Sequence, residues 1–402
     1  MKLFLSPRIH SNVPVQGPKD PEKERRARRA LEDAGLDALL VRLPENVLYF
    51  TNYWPVTGWG LALVWRDDPP QLFYPESELD FTKRCLIDDP VPYAPSGTGP
   101  LLKALKGAGA DLSGKRVGVE LNHEGVACTH LCYELAVPSP RFFDALRSDH
   151  GGVSLVDATD LILELRRFKT PFDVRQYEMT QRLNARGLEA AAEAVEEEIT
   201  EVALASTCEK AIMDATAEFG DEVTCARALA FVMGGPNGVH ASRPFNVSSG
   251  YRMKRGEFAM LELNTQVNGY WSDLTRTWVV GRSPTEEQLE QARVVNEAIE
   301  AALAATRPGA PCEEAYDASR RRVEEAGLER WHAPFLGHGI GVKLHEPKPA
   351  ILPGTKDAFR VGDYFSVEPG LYFEEVGALR FERDVVLEAG GPRCLDSFPC
   401  SL

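Results

Sequence analysis

Along residues 21 to 34 charged and apolar positions recur with a helical period, and Gly35 closes the run. The chain is therefore expected to begin its folded part with an amphipathic helix stopped by glycine. The period then changes. Asp37-Ala-Leu-Leu-Val-Arg42 and Gly60-Leu-Ala-Leu-Val-Trp65 are short apolar runs, the second closed by Asp67-Asp68-Pro69-Pro70, and both read as buried strands. Lys115 to Glu120 and Ser154 to Asp157 repeat that pattern between helical stretches, so the first half is expected to be a small α/β domain. From Leu161 to Arg167 the pattern turns helical, Lys169-Thr-Pro171 interrupts it, and a longer helix is expected to run to about Glu198. Its last acidic residues, Glu196 to Glu198, read as a solvated face. The domain boundary is placed here, giving 1–165 and 166–402. A chain of 402 residues suits two cores, because single cores seldom exceed about 250 to 300 residues.

Two later segments carry chemistry. In Phe258-Ala-Met-Leu-Glu262-Leu-Asn264-Thr-Gln-Val-Asn268-Gly269-Tyr-Trp-Ser-Asp273-Leu-Thr275-Arg276, β-formers flank an Asn-Gly pair, the strongest short-range hairpin signal. A two-residue loop at Asn268-Gly269 sets Asn264 opposite Asp273 and Glu262 opposite Thr275. Glu262 and Asp273 then share one face as diagonal neighbours. A second hairpin is expected from Tyr364-Phe-Ser-Val-Glu368 through a turn near Glu375 to Arg380-Phe-Glu382-Arg383, where the even offset between Glu368 and Glu382 again puts two carboxylates on one face. Each acidic pair could instead serve only to bind Arg276 or Arg380, and Arg276, Arg380 and Arg383 could neutralise part of the cluster. Between the hairpins lies Gly337-His338-Gly339-Ile-Gly341-Val-Lys-Leu-His345-Glu346-Pro347, whose glycines leave the His338 imidazole approachable. Four carboxylates with one imidazole suit two neighbouring Mn²⁺, Co²⁺ or Zn²⁺ ions better than a structural zinc.

Composition narrows the partners. Hydrophobic residues at 44% and charged residues at 26% are ordinary for a soluble globular chain, and a net charge of −15 disfavours nucleic acid and anionic lipid. The Met1 to Leu5 run ends at Ser6-Pro7, too short for a secretory signal, so the expected location is the cytoplasm, with no membrane span. Eight cysteines lack the spacing of a disulfide scaffold, and Cys128-Thr-His130-Leu-Cys132, without a second ligand pair, is read as structural.

These blocks resemble the creatinase/prolidase/aminopeptidase P family of metallopeptidases, whose metal ligands run Asp, Asp eleven residues on, Gly-His-Gly, Glu-Pro and Arg-x-Glu. The resemblance implies a smaller N-terminal creatinase-like α/β domain followed by a C-terminal pita-bread domain. It implies the metal ligands Glu262, Asp273, His338, Glu368 and Glu382, and hydrolysis of a small peptide at an Xaa-Pro bond. By the same transfer Glu368 is the general base, His345 contacts the scissile carbonyl, and His240, in Gly234-Gly-Pro-Asn-Gly-Val-His240, lines the substrate site. Arg380 either binds a substrate carboxylate or orients Glu382. Trp59, in Tyr53-Trp-Pro-Val-Thr-Gly-Trp59-Gly60, is expected to be a substrate contact delivered by the neighbouring subunit of a homodimer; a packed aromatic turn is the competing reading. The chain departs from the family in one ligand, since Glu262 and Asn264 stand where Asp-x-Gly is usual. A metal-free creatinase-like amidinohydrolase and a catalytically inactive binding module are the alternatives.

Overall fold

The computed structural model describes residues 19–122, 139–242 and 247–402, so the Cys128 to Cys132 stretch lies outside the described residues. Two compact units emerge, the described part of the first being 19–122 with 139–158 and the second beginning at Thr159.

The first unit comprises α1 (Pro21–Asp33), β1 (Ala38–Val41), α2 (Pro44–Thr51), β2 (Leu61–Trp65), β3 (Gln71–Pro75), β4 (Val91–Tyr93), α3 (Thr98–Gly107), β5 (Arg116–Val119), α4 (Pro140–Asp149) and β6 (Ser154–Asp157). Asp20 caps α1 by accepting from Lys23 N at 3.1 Å, and Gly35 leaves it at φ 61°, the left-handed stop expected of that glycine. The strands form one sheet in the order β4-β3-β2-β1-β5-β6, with β1, β5 and β6 parallel and β2 antiparallel to β1. Helix α2 has no amphipathic signature because all but its first residue are buried. Its start is held by Glu120, just beyond β5, whose buried carboxylate accepts from Arg42 N at 2.9 Å, Leu43 N at 3.1 Å and Asn46 Nδ2 at 2.8 Å. Burial outweighs these hydrogen bonds and pushes the Glu120 carboxyl up to about 7.

The second unit comprises α5 (Thr159–Arg167), α6 (Pro171–Ala194), α7 (Glu201–Ala215), β7 (Ala226–Gly234), β8 (Phe258–Val267), β9 (Tyr270–Val279), α8 (Glu286–Ala305), α9 (Cys312–Glu325), β10 (Gly337–Gly339), β11 (Glu346–Ile351), β12 (Tyr364–Val367), β13 (Gly370–Phe373), β14 (Gly377–Arg380), β15 (Arg383–Glu388) and β16 (Gly391–Cys394). Helix α5 goes with this unit because Arg166 and Arg167 pair with buried Glu346 and Asp363 at 2.5 and 2.6 Å. Thr170 and Asp173 form a capping box at the start of α6, with Pro171 in its first turn. The helix ends at Ala194 instead of near Glu198, because Glu198 takes φ 71° and donates its N–H to Met253 O, turning the chain into α7.

Two half-cores result. One packs α6 and α7 on the sheet β7-β8-β9 through residues such as Leu183, Leu204, Ile212, Leu261 and Leu263. Gly187 lets the two helices close, since a Cβ there would lie 2.6 Å from Ile212. The other packs α8 and α9 on the sheet β11-β10-β12-β15-β16 through Val295, Ile299, Tyr316, Phe359 and Phe365. Each fully buried Leu, Ile or Phe side chain contributes about 1.5–3 kcal/mol of transfer free energy, so these apolar faces fix where the sheets meet. Among the described residues no helix is long and apolar enough to cross a membrane.

Candidate metal centre

The β8–β9 hairpin has the expected register, Asn264 opposite Asp273 and Glu262 opposite Thr275, around a turn in which Asn268 and Gly269 have φ 52° and 91°. Asn268 is also tied down. Its side-chain oxygen accepts from Thr224 N at 2.9 Å, and its amide donates to Glu222 O at 2.8 Å.

The second ribbon is one register split between two sheets. Pairs Phe373–Gly377 and Gly370–Arg380 belong to the two-stranded β13–β14 sheet, and pairs Val367–Arg383 and Tyr364–Val386 belong to β12–β15. The same register sets Glu368 opposite Glu382 at the break. Pro369, with no N–H to donate, interrupts the ladder there. Instead Glu368 N donates to Leu336 O at 2.8 Å, and Glu382 N to Thr275 O at 3.3 Å, which brings both carboxylates beside the first hairpin.

Strand β10 brings in His338. Its two flanking glycines are required by space, because neither has positive φ, while a Cβ on Gly337 or Gly339 would lie 2.0 Å from the carbonyl oxygen of Ser366 or Lys348. His338 Nδ1 lies 2.9 Å from Gly339 O, a group that can only accept, so Nδ1 carries the proton and Nε2 presents a lone pair. That lone pair faces Asp273 Oδ2 at 3.3 Å and Glu368 Oε1 at 3.7 Å. The His345 ring stacks on His338 with centroids 4.3 Å apart.

The electrostatics call for a positive ion. Burial, then the neighbouring charge of Glu382, raises the carboxyls of Asp273 and Glu368 well above their ordinary range. Glu382 is raised by burial too, against the opposing pull of Arg380, and the His338 imidazolium is disfavoured, chiefly by burial. Glu382 Oε1 is buried without a hydrogen-bond partner among the described residues. Neutral imidazole nitrogen facing acceptor oxygens, next to an unsatisfied carboxylate, is a donor set that fits a divalent cation. Two groupings of ligand atoms within 4.8 Å of one another are present, Asp273 with His338 and His345, and Glu262 with Asp273 and Glu382.

Several bonds differ from the simplest sequence expectation. Arg380 reaches into the cluster, but to Glu262 and not to the Glu382 side chain: its Nη2 contacts Glu262 Oε2, its Nη1 lies 3.5 Å from Glu368 Oε2, and its Nε donates to Thr275 Oγ1 at 2.9 Å. Arg276 and Arg383 turn away, both pairing with Asp396 at 2.7 and 2.6 Å. Thr275 and Asn264 are members that acidic spacing alone does not single out. The Thr275 hydroxyl lies 2.9 Å from Glu262 Oε2 and 2.7 Å from Glu382 Oε2, and Asn264 Nδ2 donates to Asp273 at 2.7 Å and Glu262 at 3.2 Å. The register that sets them opposite Glu262 and Asp273 is the signal that finds them. Behind the site Asp384 accepts from Asp273 N at 3.2 Å and Tyr364 Oη at 2.7 Å.

His240 is an exposed residue on a largely packed 3₁₀ segment (Gly235–Ser242) anchored to β14, where Gly238 packs so closely that a Cβ would meet Ala378 N at 2.3 Å. It is not in contact with the carboxylates. Trp59 belongs to the first unit, with its ring 5.2 Å from the Arg42 guanidinium and its carbonyl accepting from Tyr93 Oη at 2.6 Å.

The family model of the creatinase/prolidase N-terminal domain matches residues 24–168, and that of metallopeptidase family M24 matches 175–389. The chain is 26% identical over 375 residues to an Xaa-Pro dipeptidase of Pyrococcus horikoshii, covering 93% of this chain and 96% of that one. The crystal structure of the prolidase from P. horikoshii OT3 superimposes with a TM-score of 0.74 at 24% identity, over 94% of this chain and 99% of that one. An X-Pro aminopeptidase from Thermotoga maritima gives a TM-score of 0.74 at 21% identity, over 94% and 98%. The fold is thus a creatinase-like α/β domain followed by a pita-bread domain, and the chain belongs to metallopeptidase family M24.

Proposed function

We propose that this protein is a metal-dependent peptidase that cuts small peptides at Xaa-Pro bonds, as a prolidase or aminopeptidase P does. The observation that carries the proposal is the lone pair of His338 Nε2 aimed at Asp273 and Glu368, beside the unpartnered Glu382 Oε1. Asp273, His338, Glu368 and Glu382, with Glu262, would hold two divalent ions, Mn²⁺, Co²⁺ or Zn²⁺. Bound there, such ions polarise a peptide carbonyl and make a water acidic enough to react near neutral pH.

The chain's own groups do the rest. Glu368, whose carboxyl burial and like charges raise, accepts the proton of the attacking water. His345, stacked on His338, donates to the oxygen of the tetrahedral adduct. His240 delivers a proton toward the leaving proline nitrogen. Arg380 holds Glu262 and stands near Glu368, which supports an orienting role over capture of a substrate carboxylate. Trp59 is proposed as a contact supplied by the second copy of a homodimer, which the solution mass and a Trp59→Ala change in KM test together. The retention of four unaltered ligand types weighs against a metal-free amidinohydrolase or an inactive binding module.

The test is hydrolysis of an Xaa-Pro dipeptide before chelation, after it, and after Mn²⁺ or Co²⁺ is restored. Activity should vanish and return, and Glu368→Gln should lower kcat by about 100-fold or more. Activity indifferent to chelation, or a near-normal Glu368→Gln enzyme, would refute the reading.

A further inference from the structure

His345 and Glu346 are chain neighbours whose side chains serve opposite sides of one backbone. The His345 ring stacks on His338 at 4.3 Å, whereas the Glu346 carboxylate, on the first residue of β11, is buried against Arg166 of α5 at 2.5 Å. Successive side chains at the start of a strand project in opposite directions, so a shift of one moves the other. The strand ladder does not settle their place. β10 and β11 pair at His338–Ala350 and next at Gly339–Glu346, which leaves residues 347–349 without a counterpart in the register.

Glu346 supplies what the ladder lacks. Its Oε1 accepts from Lys343 N at 3.3 Å and packs so closely on Gly341 that a Cβ there would lie 2.6 Å away, and Gly341 O in turn accepts from Trp271 N of β9 at 3.0 Å. The loop from Gly341 to Glu346 is thus folded around this carboxylate. Lys169 Nζ, buried without a hydrogen-bond partner among the described residues, adds a second positive charge. Burial alone would raise the Glu346 carboxyl; Arg166 and Lys169 outweigh it and hold the carboxyl below its ordinary value, so Glu346 remains an anion inside the protein. The neighbouring Glu164–Lys348 pair at 2.8 Å is half-exposed and contributes little.

We propose that Glu346, fixed by Arg166, is a positioning residue that sets the His345 imidazole for its contact with the scissile carbonyl. This role rests on the peptidase reading above and deepens it, giving His345 a support that touches neither substrate nor metal. Loss of the charge at position 346 frees the loop, and the ring leaves its place over His338 while the carboxylates of the two hairpins stay where they are.

The test uses the full-length, Mn²⁺-loaded protein and Glu346→Gln, with Arg166→Met/Glu346→Met as a second variant in which apolar packing replaces the buried pair. Elemental analysis should find the wild-type metal content in both. With an Xaa-Pro dipeptide, Glu346→Gln should lower kcat by about 10- to 100-fold with KM within about twofold, the effect of a catalytic group displaced by roughly 1 Å. Placed on His345→Ala, the same change should cost under about twofold, because the residue it positions is gone. Crystal structures should show the 4.3 Å ring stack lost in the variants. Equal losses with and without His345, a folded Glu346→Gln enzyme with wild-type kcat, an unchanged stack, loss of metal, or failure of both variants to fold would overturn the proposal. If the wild-type protein cleaves no Xaa-Pro peptide, the peptidase reading fails, and the ring geometry of the variants still decides whether Glu346 positions His345.

Discussion

The replacement Arg276→Met isolates an ion pair that the acidic spacing made look like part of the metal centre. Arg276 and Asp396 are both buried, each side chain 1% exposed, and their pair measures 2.7 Å. The guanidinium also donates to the carbonyls of Thr275 at 2.8 Å, Glu382 at 2.7 Å, Phe398 at 2.7 Å and Pro399 at 2.9 Å, strapping the C-terminal segment to β9. Methionine fills much of the same space but makes none of these bonds and leaves the Asp396 charge buried. Breaking such a pair costs about 3–5 kcal/mol, and the remaining Arg383 contact at 2.6 Å puts the expected loss at the lower end, ~3 kcal/mol. For a unit of this size that corresponds to a melting point lower by ~6–12 °C. Urea unfolding followed by circular dichroism measures the loss, and Arg276→Met/Asp396→Asn should lose less than the two single changes added. A loss under about 1 kcal/mol, the level of an exposed pair, would refute the assignment of Arg276 to a buried structural strap.

Gly337→Ala should destabilise the protein by ~3 kcal/mol and reduce its metal content, because the added Cβ would stand 2.0 Å from Ser366 O and must displace β10 with His338; Gly250→Ala, with nothing within 4 Å, is the matched control and should change neither quantity. The first unit should carry its own pH dependence. The Glu120 carboxyl is raised from 4.5 to about 7, so the folded state holds its proton where the unfolded state has lost it. That contribution is complete below the unfolded value and disappears as pH rises through about 7. Glu120→Gln should remove ~3 kcal/mol of pH dependence across that window, as read by denaturant unfolding at several pH values, and an unchanged slope would contradict the cause given for the shift.

How much of this was legible in the chain depended on whether the decisive contact was local. Asn268-Gly269 admits one hairpin register, and that register alone set Glu262, Asn264, Asp273 and Thr275 on one face. The even offset from Glu368 to Glu382 survived as well, although the ribbon breaks into two sheets between them, because Pro369 interrupts the ladder without shifting its pairing. The fates of the arginines were not legible. Asp396, which takes both Arg276 and Arg383, lies outside either hairpin, and only the folded tail brings it back. Helix α2 escaped the periodicity because nearly every side chain in it is buried, and the end of α6 was overrun because an acidic helical pattern does not announce the turn at Glu198.

The proposed activity requires a cation among these side chains. Crystals loaded with Mn²⁺ and measured at the manganese absorption edge give the most direct answer. An anomalous peak bonded to His338 Nε2 and to the carboxylates of Asp273 and Glu368 is the expected result; a peak-free site in which His338 hydrogen-bonds directly to a protonated carboxyl would contradict it.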